Sequence, residues 1–199
     1  MKPKNIVAAI LNCLLASLIL IASNACHVAR TASRPAETAA AAGPYAVPQT
    51  GQRTSYAAGD DGDLQAGAPW PAPRFRDNGN GTVTDRLSGL MWTQKASPAA
   101  GARDWEQALL GAAGCKDGGY SDWRLPNRNE LASLIDLARN NPALPEGHPF
   151  TGVQLAYYWT STTCANNEDH AWIIHFFSGF ITHDDKGGTH GVWYVRDGR

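Results

Sequence analysis

The sequence predicts an α+β domain in which two helices pack on small antiparallel sheets connected by long loops. Three observations predict it. Twenty glycines and 12 prolines in 199 residues, with only 18% charged residues, favour many short elements over a coiled coil or a long-helix bundle. Two segments in the middle of the chain carry helix caps and a 3.6-residue apolar period. The segments on either side of them carry short aromatic and β-branched runs bounded by turn residues. Strands, then helices, then strands is the order of an α+β fold with its helices on one side of the sheets.

The amino-terminal 50 residues read as targeting and spacing sequence. Met1 to Asn5 carries two lysines, Ile6 to Ala22 is nearly all apolar, and Ser23-Asn24-Ala25 offers small residues for cleavage, so residues 1–25 have the three-part pattern of a secretory signal. Asn12, Cys13 and Ser17 interrupt an apolar run already short for a bilayer span, which favours cleavage over a permanent anchor. Cys26 follows Ala25 directly, as the lipidated cysteine of a bacterial lipoprotein does, although Ser23 and Asn24 depart from the usual lipobox. Two outcomes stay open, a soluble exported domain and one held to a membrane by a lipid on Cys26. Residues 26–50, rich in Ala, Thr and Pro, read as a disordered tether.

The folded unit is expected over residues 51–199. Asn78-Gly79 and Asn80-Gly81 supply positive φ within a hairpin from Arg74 to Asp85, and a second turn at Leu87-Ser88-Gly89 leads into Leu90-Met91-Trp92-Thr93. Three short antiparallel strands follow from this. Asp104 and Gln107 form a capping pair ahead of the stripe Trp105, Ala108, Leu109 and Ala112, with an end near Gly114. Asn127 and Glu130 cap a second helix with the stripe Leu131, Leu134, Ile135 and Ala138, ending before Asn141-Pro142. Tyr157 to Thr162, Ala171 to Phe177 and Val192 to Arg196 read as strands. In Asp122-Trp123-Arg124-Leu125-Pro126, Trp123 and Leu125 read as core plugs and Arg124 as held by a carboxylate.

Charge and cysteine usage narrow the function. A formal net charge of −1 excludes a basic surface for nucleic acid or anionic lipid. With Cys13 in the signal and Cys26 at the cleavage site, Cys115 and Cys164 remain for an oxidising compartment, and a disulfide between them is the simplest assignment; two buried thiols are the alternative. Such a bridge would close a loop of roughly 50 residues, worth about 4 kcal/mol in the chain-entropy account.

Candidate chemistry is sparse. Asp77, Asn80 and Asp85 among glycines form a possible calcium loop, as do Asp60, Asp61 and Asp63, against the alternative that these oxygens satisfy their own turn amides. His170 and His175, five apart, point to opposite faces of a strand and cannot share an ion. His183 and His190 could meet across a hairpin at Gly187-Gly188 with Asp184 or Asp185 as a third ligand. Ser161 lacks a glycine elbow, no glycine-rich phosphate loop is present and the carboxylates are unpaired, so the expectation is a protein that is not an enzyme and needs no cofactor. A ligand face is expected in the polar and aromatic stretch after the fourth cysteine, with Asn166, Asn167, Asp169, His170, His175, Phe177, Phe180, His183, Asp184 and Lys186 displayed on loops supported by strands.

Read together, Asp60-Asp61-Gly62-Asp63, Asp77-Asn78-Gly79-Asn80-Gly81-Thr82-Val83-Thr84-Asp85, Gly89-Leu90-Met91-Trp92, Asp122-Trp123-Arg124-Leu125-Pro126, Asn129-Glu130-Leu131, Gly147-His148-Pro149-Phe150 and Tyr158-Trp159-Thr160-Ser161-Thr162 resemble the Lcl C-terminal domain family, a bacterial extracellular family named for a collagen-like adhesin. The resemblance runs from about Gly51 to Arg199. It implies a C-type-lectin-like fold related to formylglycine-generating enzymes. It also implies a surface adhesin or receptor, with sulfated glycosaminoglycans as ligands of some relatives and a C-terminal loop-and-strand surface as the ligand face.

Several features depart from the family. From Trp70 onward acidic residues slightly outnumber basic ones, no Gly-X-Y array precedes the domain, and the Glu-Pro-Asn and Trp-Asn-Asp signatures of calcium-dependent sugar binding are missing. Cys115 and Cys164 do not match the reactive cysteine pair of the formylglycine-generating enzymes. The leading expectation is therefore an exported or surface-tethered module that binds a glycan or protein. The alternatives are a self-associating envelope protein and an unrecognised enzyme of the formylglycine-generating superfamily.

Overall fold

The computed structural model describes residues 47–97 and 101–199. The signal, Cys13, Cys26 and most of the tether lie outside the described residues. Among the described residues no helix is long and apolar enough to cross a membrane.

The chain is α+β with two small antiparallel sheets. A single-turn helix α1 (Asp61–Leu64) precedes strands β1 (Phe75–Asp77), β2 (Thr82–Asp85) and β3 (Leu90–Thr93). Helix α2 (Trp105–Gly114), a 3₁₀ turn (Asp117–Gly119) and helix α3 (Arg128–Ser133) follow. Then come β4 (Tyr157–Cys164), β5 (Asn167–His175), β6 (Phe180–Asp185) and β7 (Val195–Asp197). One sheet has the order β1-β2-β3-β7, so the end of the chain returns to its beginning; the other is the meander β4-β5-β6.

Local chemistry explains most boundaries. Gly79 and Gly81 adopt φ of 73° and 82° in the first hairpin, as the Asn-Gly pairs predict. Asp104 accepts from the Gln107 amide at the start of α2, and Asn127 and Glu130 close a reciprocal capping box on α3. The second helix is shorter than its apolar period predicts. The Leu134 and Ile135 amides reach back only three residues, to the Leu131 and Ala132 carbonyls, and the Asp136 carboxylate takes the Ala138 amide, so the helix unwinds and Ala138 is exposed. The segment 180–185, expected as loop, is strand β6.

Two aromatic-rich clusters form the core on opposite sides of the β4-β5-β6 sheet. Tyr158 and Ile174 face the first, with Trp92, Leu131, Leu134, Phe176 and Trp193; Trp159, Ala171 and Ile173 face the second, beneath α2. Trp193 is wholly buried, with its ring 4.8 Å from Phe150, 5.3 Å from Phe176, 5.9 Å from Trp92 and 6.0 Å from Tyr158. Its indole N–H donates to the Thr93 carbonyl at 2.9 Å, so its burial leaves no polar group unpaired. The segment entering β7 joins the sheets: Gly191 bridges to Tyr158 of β4, and Val195 pairs with Trp92 of β3.

Ion pairs anchor the ends of these elements. Arg74 pairs with Asp85 at 3.1 Å with both side chains buried, donates to the Ser133 carbonyl at the end of α3 and stacks 4.5 Å from the Trp70 ring. Arg124 makes two 2.7 Å bonds to Glu130, and Trp123 and Leu125 are buried, as the sequence predicts. The Arg196 guanidinium beside Asp122 holds that carboxyl below the usual range.

The expected disulfide is absent. Cys115 and Cys164 are both free and buried. Cys115 caps α2 within the second core cluster, where burial pushes its thiol pKa up, whereas the Cys164 thiol turns into its own hairpin and lies 2.9 Å from the Asn166 side-chain oxygen.

Arg74→Ala is expected to cost about 3–5 kcal/mol in urea unfolding, because it leaves the Asp85 carboxylate buried without its partner. A loss below about 1 kcal/mol would show that the pair does not tie the first sheet to α3.

Candidate functional site

The register of the second sheet sorts the predicted ligand residues onto two faces. Tyr157 of β4 is opposite His175 of β5, which is opposite Phe180 of β6. Side chains directly opposite one another share a face, so these three form one row across the sheet, and with strands ~4.8 Å apart the row is ~10 Å long. The Tyr157 and His175 rings are 4.4 Å apart, and Phe177, in the β5–β6 turn, lies 6.1 Å from His175. On the same face, the second core cluster buries Trp159, Ala171 and Ile173 and packs against Tyr157, so Tyr157 and His175 are half-buried and the row emerges toward Phe180. Phe180 is 59% exposed and Phe177 43%, so the row is open to solvent at its outer end.

Polar groups border the row. Along β6, Thr182 and Asp184 share the face of Phe180. The His190 ring lies 5.8 Å from Tyr157 and 4.5 Å from Trp159, and its Nε2 meets the Asp184 carboxylate at 2.9 Å. The Asp185 amide, and after it the His190 side chain, hold the Asp184 carboxyl below the usual range.

The opposite face carries a different group. His170 and Trp172 of β5 lie across from Asp185 and His183 of β6. The Nδ1 atoms of His170 and His183 are 3.0 Å apart, the His183 ring is 5.7 Å from Trp172, and the Arg128 guanidinium lies 4.4 Å from the Trp172 ring.

The ten predicted residues therefore do not make one loop-borne face. His175, Phe177, Phe180 and Asp184 converge, joined by Tyr157 and His190, while His170 and His183 belong to the other side. Asn166 is engaged by Cys164, Asn167 accepts from the Asp169 amide, and Lys186 donates to the Glu168 carbonyl with its ammonium 4.2 Å from the Trp105 ring. His183 does not meet His190: one pairs with His170 and the other with Asp184. His170 and His175 do occupy opposite faces, as their odd spacing predicts. Tyr157 joins the site through strand pairing alone, and only its alternation with Tyr158 hinted at its face.

The two acidic glycine loops use their oxygens locally. Asp60 accepts from the Tyr56, Ala57 and Asp63 amides, and Asp63 from that of Gly59; Thr50 donates to Asp61. Asp77 accepts from the Gly79 amide and Gln94, Asn80 from the Thr82 hydroxyl, and buried Asp85 from Arg74, Leu87 and Ser88. Among the described residues no group of three or more His, Cys, Asp or Glu side chains is placed to hold a metal ion. The concavities among the described residues include one of about 680 Å³ beside Trp105, Glu106, Leu109, Leu110 and Lys186, and one of about 410 Å³ beside Val47, Trp70, Ile135, Leu137 and Ile181.

The lowered Asp184 carboxyl gives a pH prediction. Its stabilising effect is complete above the ordinary aspartate value of 3.8 and is lost as pH falls through the lower folded value. Asp184→Asn should remove that acid-side slope and cost no more than about 1 kcal/mol at neutral pH, since the Asp184 carboxylate is half exposed and screened by water. Urea unfolding of both proteins from pH 2 to 7 checks it; identical slopes would contradict it.

The sequence model of one family, described as the Lcl C-terminal domain, matches residues 81–196. No curated protein matches the chain. The match runs from just before β2 into β7 and takes in both longer helices and every residue of the aromatic row, and so this chain belongs to the Lcl C-terminal domain family.

Proposed function

We propose that this chain is an exported, surface-tethered binding module, acting without catalysis, that holds a glycan on the Tyr157–His175–Phe180 row. The observation that carries the reading is the in-register aromatic row, open to solvent at its Phe180 end with Phe177 beside it. A pyranose ring has an apolar C–H face and a rim of hydroxyls. Flat aromatic rings pack on the first, and Thr182 and Asp184 along the same strand supply partners for the second. The row matches about two sugar residues in length.

The near-neutral charge favours an uncharged or weakly charged glycan over the sulfated ligands that the family resemblance implies. A protein ligand is the second class the row suits, because exposed aromatics also anchor protein interfaces. We read the two small sheets, with helices between them and a last strand returning to the first sheet, as a C-type-lectin-like arrangement. The apolar amino-terminal run and the Ala/Pro-rich stretch support export and tethering, with Cys26 as the candidate lipid anchor.

A glycan array probed with the intact chain tests the proposal. Tyr157→Ala, His175→Ala and Phe180→Ala should each weaken binding to the captured glycan roughly three- to tenfold, as loss of one aromatic contact implies. Arg86→Ala, at the exposed β2–β3 turn, should leave binding unchanged. Full binding by all three row variants, or capture of no glycan, would overturn the reading.

A further inference from the structure

We propose that His170 and His183 form a two-imidazole docking site for a divalent ion of the Cu(II) or Ni(II) class, on the sheet face opposite the aromatic row. The register places them diagonally on neighbouring strands, His170 across from Asp185 and Trp172 across from His183, so both side chains leave the same face. Their ring centroids are 5.1 Å apart and the planes meet at 66°, with the two Nδ1 atoms converging at 3.0 Å. Two N–H groups cannot face each other at that distance. At least one Nδ1 therefore presents its lone pair to the gap, and in the neutral rings a shift of tautomer frees the second.

The separation selects the geometry. Imidazole nitrogens bind such ions at about 2.0–2.1 Å, so two ligands at right angles lie about 2.9 Å apart and two tetrahedral ones about 3.4 Å apart. The observed 3.0 Å fits the edge of a tetragonal site, the geometry that Cu(II) and Ni(II) favour with nitrogen ligands. Strand pairing sets the spacing before any ion arrives, so little ordering is required on binding.

The charges around the pair divide. Asp185 shares its face, while the Arg128 guanidinium over Trp172 opposes a cation. No third histidine, cysteine or carboxylate joins the pair among the described residues, and His183 is exposed. The remaining positions of the ion therefore go to water or to a donor atom on a bound molecule. The site is built from residues outside the aromatic row and does not depend on the glycan reading.

Titration of the intact chain, prepared without a polyhistidine tag, with Cu²⁺ and then Ni²⁺ and Zn²⁺ tests the proposal. Electron paramagnetic resonance should show one Cu²⁺ held by two nitrogens, Trp172 fluorescence should be quenched, and affinity should fall from Cu²⁺ to Ni²⁺ and Zn²⁺. His170→Ala and His183→Asn should each weaken Cu²⁺ binding at least tenfold, and the double variant should be no weaker than its weaker parent. Circular dichroism melting without metal confirms that both variants are folded. Wild-type Cu²⁺ affinity in either folded variant, or a signal from a single nitrogen, would overturn the assignment.

Discussion

The burial of Trp193 is the contact on which the rest of the molecule depends. Its ring touches side chains from β3, β4, the loop holding Phe150 and the turn after β5, and its indole N–H is paired with the Thr93 carbonyl. The two sheets share no strand, and the short segment carrying Trp193 is paired to both of them. A buried indole of this kind contributes about 3–5 kcal/mol relative to alanine, a large share of the stability of a small domain.

That constraint explains where the open surfaces are. The first core cluster covers one end of the β4-β5-β6 sheet on one face, and the second, under α2, covers the other end on the other face. Two diagonal corners are only partly covered. One displays the row Tyr157, His175 and Phe180, and the other displays His170, Trp172 and His183. Both are strand-borne, so their side chains are positioned by ladder hydrogen bonds and by the core beneath, which limits the ordering cost of capturing a ligand.

The sequence made the helices and the first three strands legible because local chemistry decides them. Asp104 and Asn127 cap where their side chains reach amides three residues on, and Asn78-Gly79 and Asn80-Gly81 turn where positive φ is required. Strand β6 was not legible. Phe-Ile-Thr-His-Asp-Asp ends in two residues that strands disfavour, and it becomes a strand at the sheet edge only through pairing with β5. The candidate site was half legible for the same reason. His175, Phe177, Phe180 and Asp184 could be named from composition, but Tyr157 joins them, and His170 and His183 leave them, through a register that no single segment encodes. Cys115 and Cys164 show the limit of counting, since an even number of cysteines says nothing about where each thiol points.

Joining both sheets through Trp193 should make them one cooperative unit and the aromatic row a preformed surface. Native-state amide hydrogen exchange under rising denaturant tests it most directly. The amides of Thr93 and Val195 in the first sheet, and of Trp159 and Phe176 at the second, all make backbone hydrogen bonds. These four should converge on a single opening free energy equal to that of global unfolding. Opening of Trp159 and Phe176 at a markedly lower free energy than Thr93 and Val195 would contradict it.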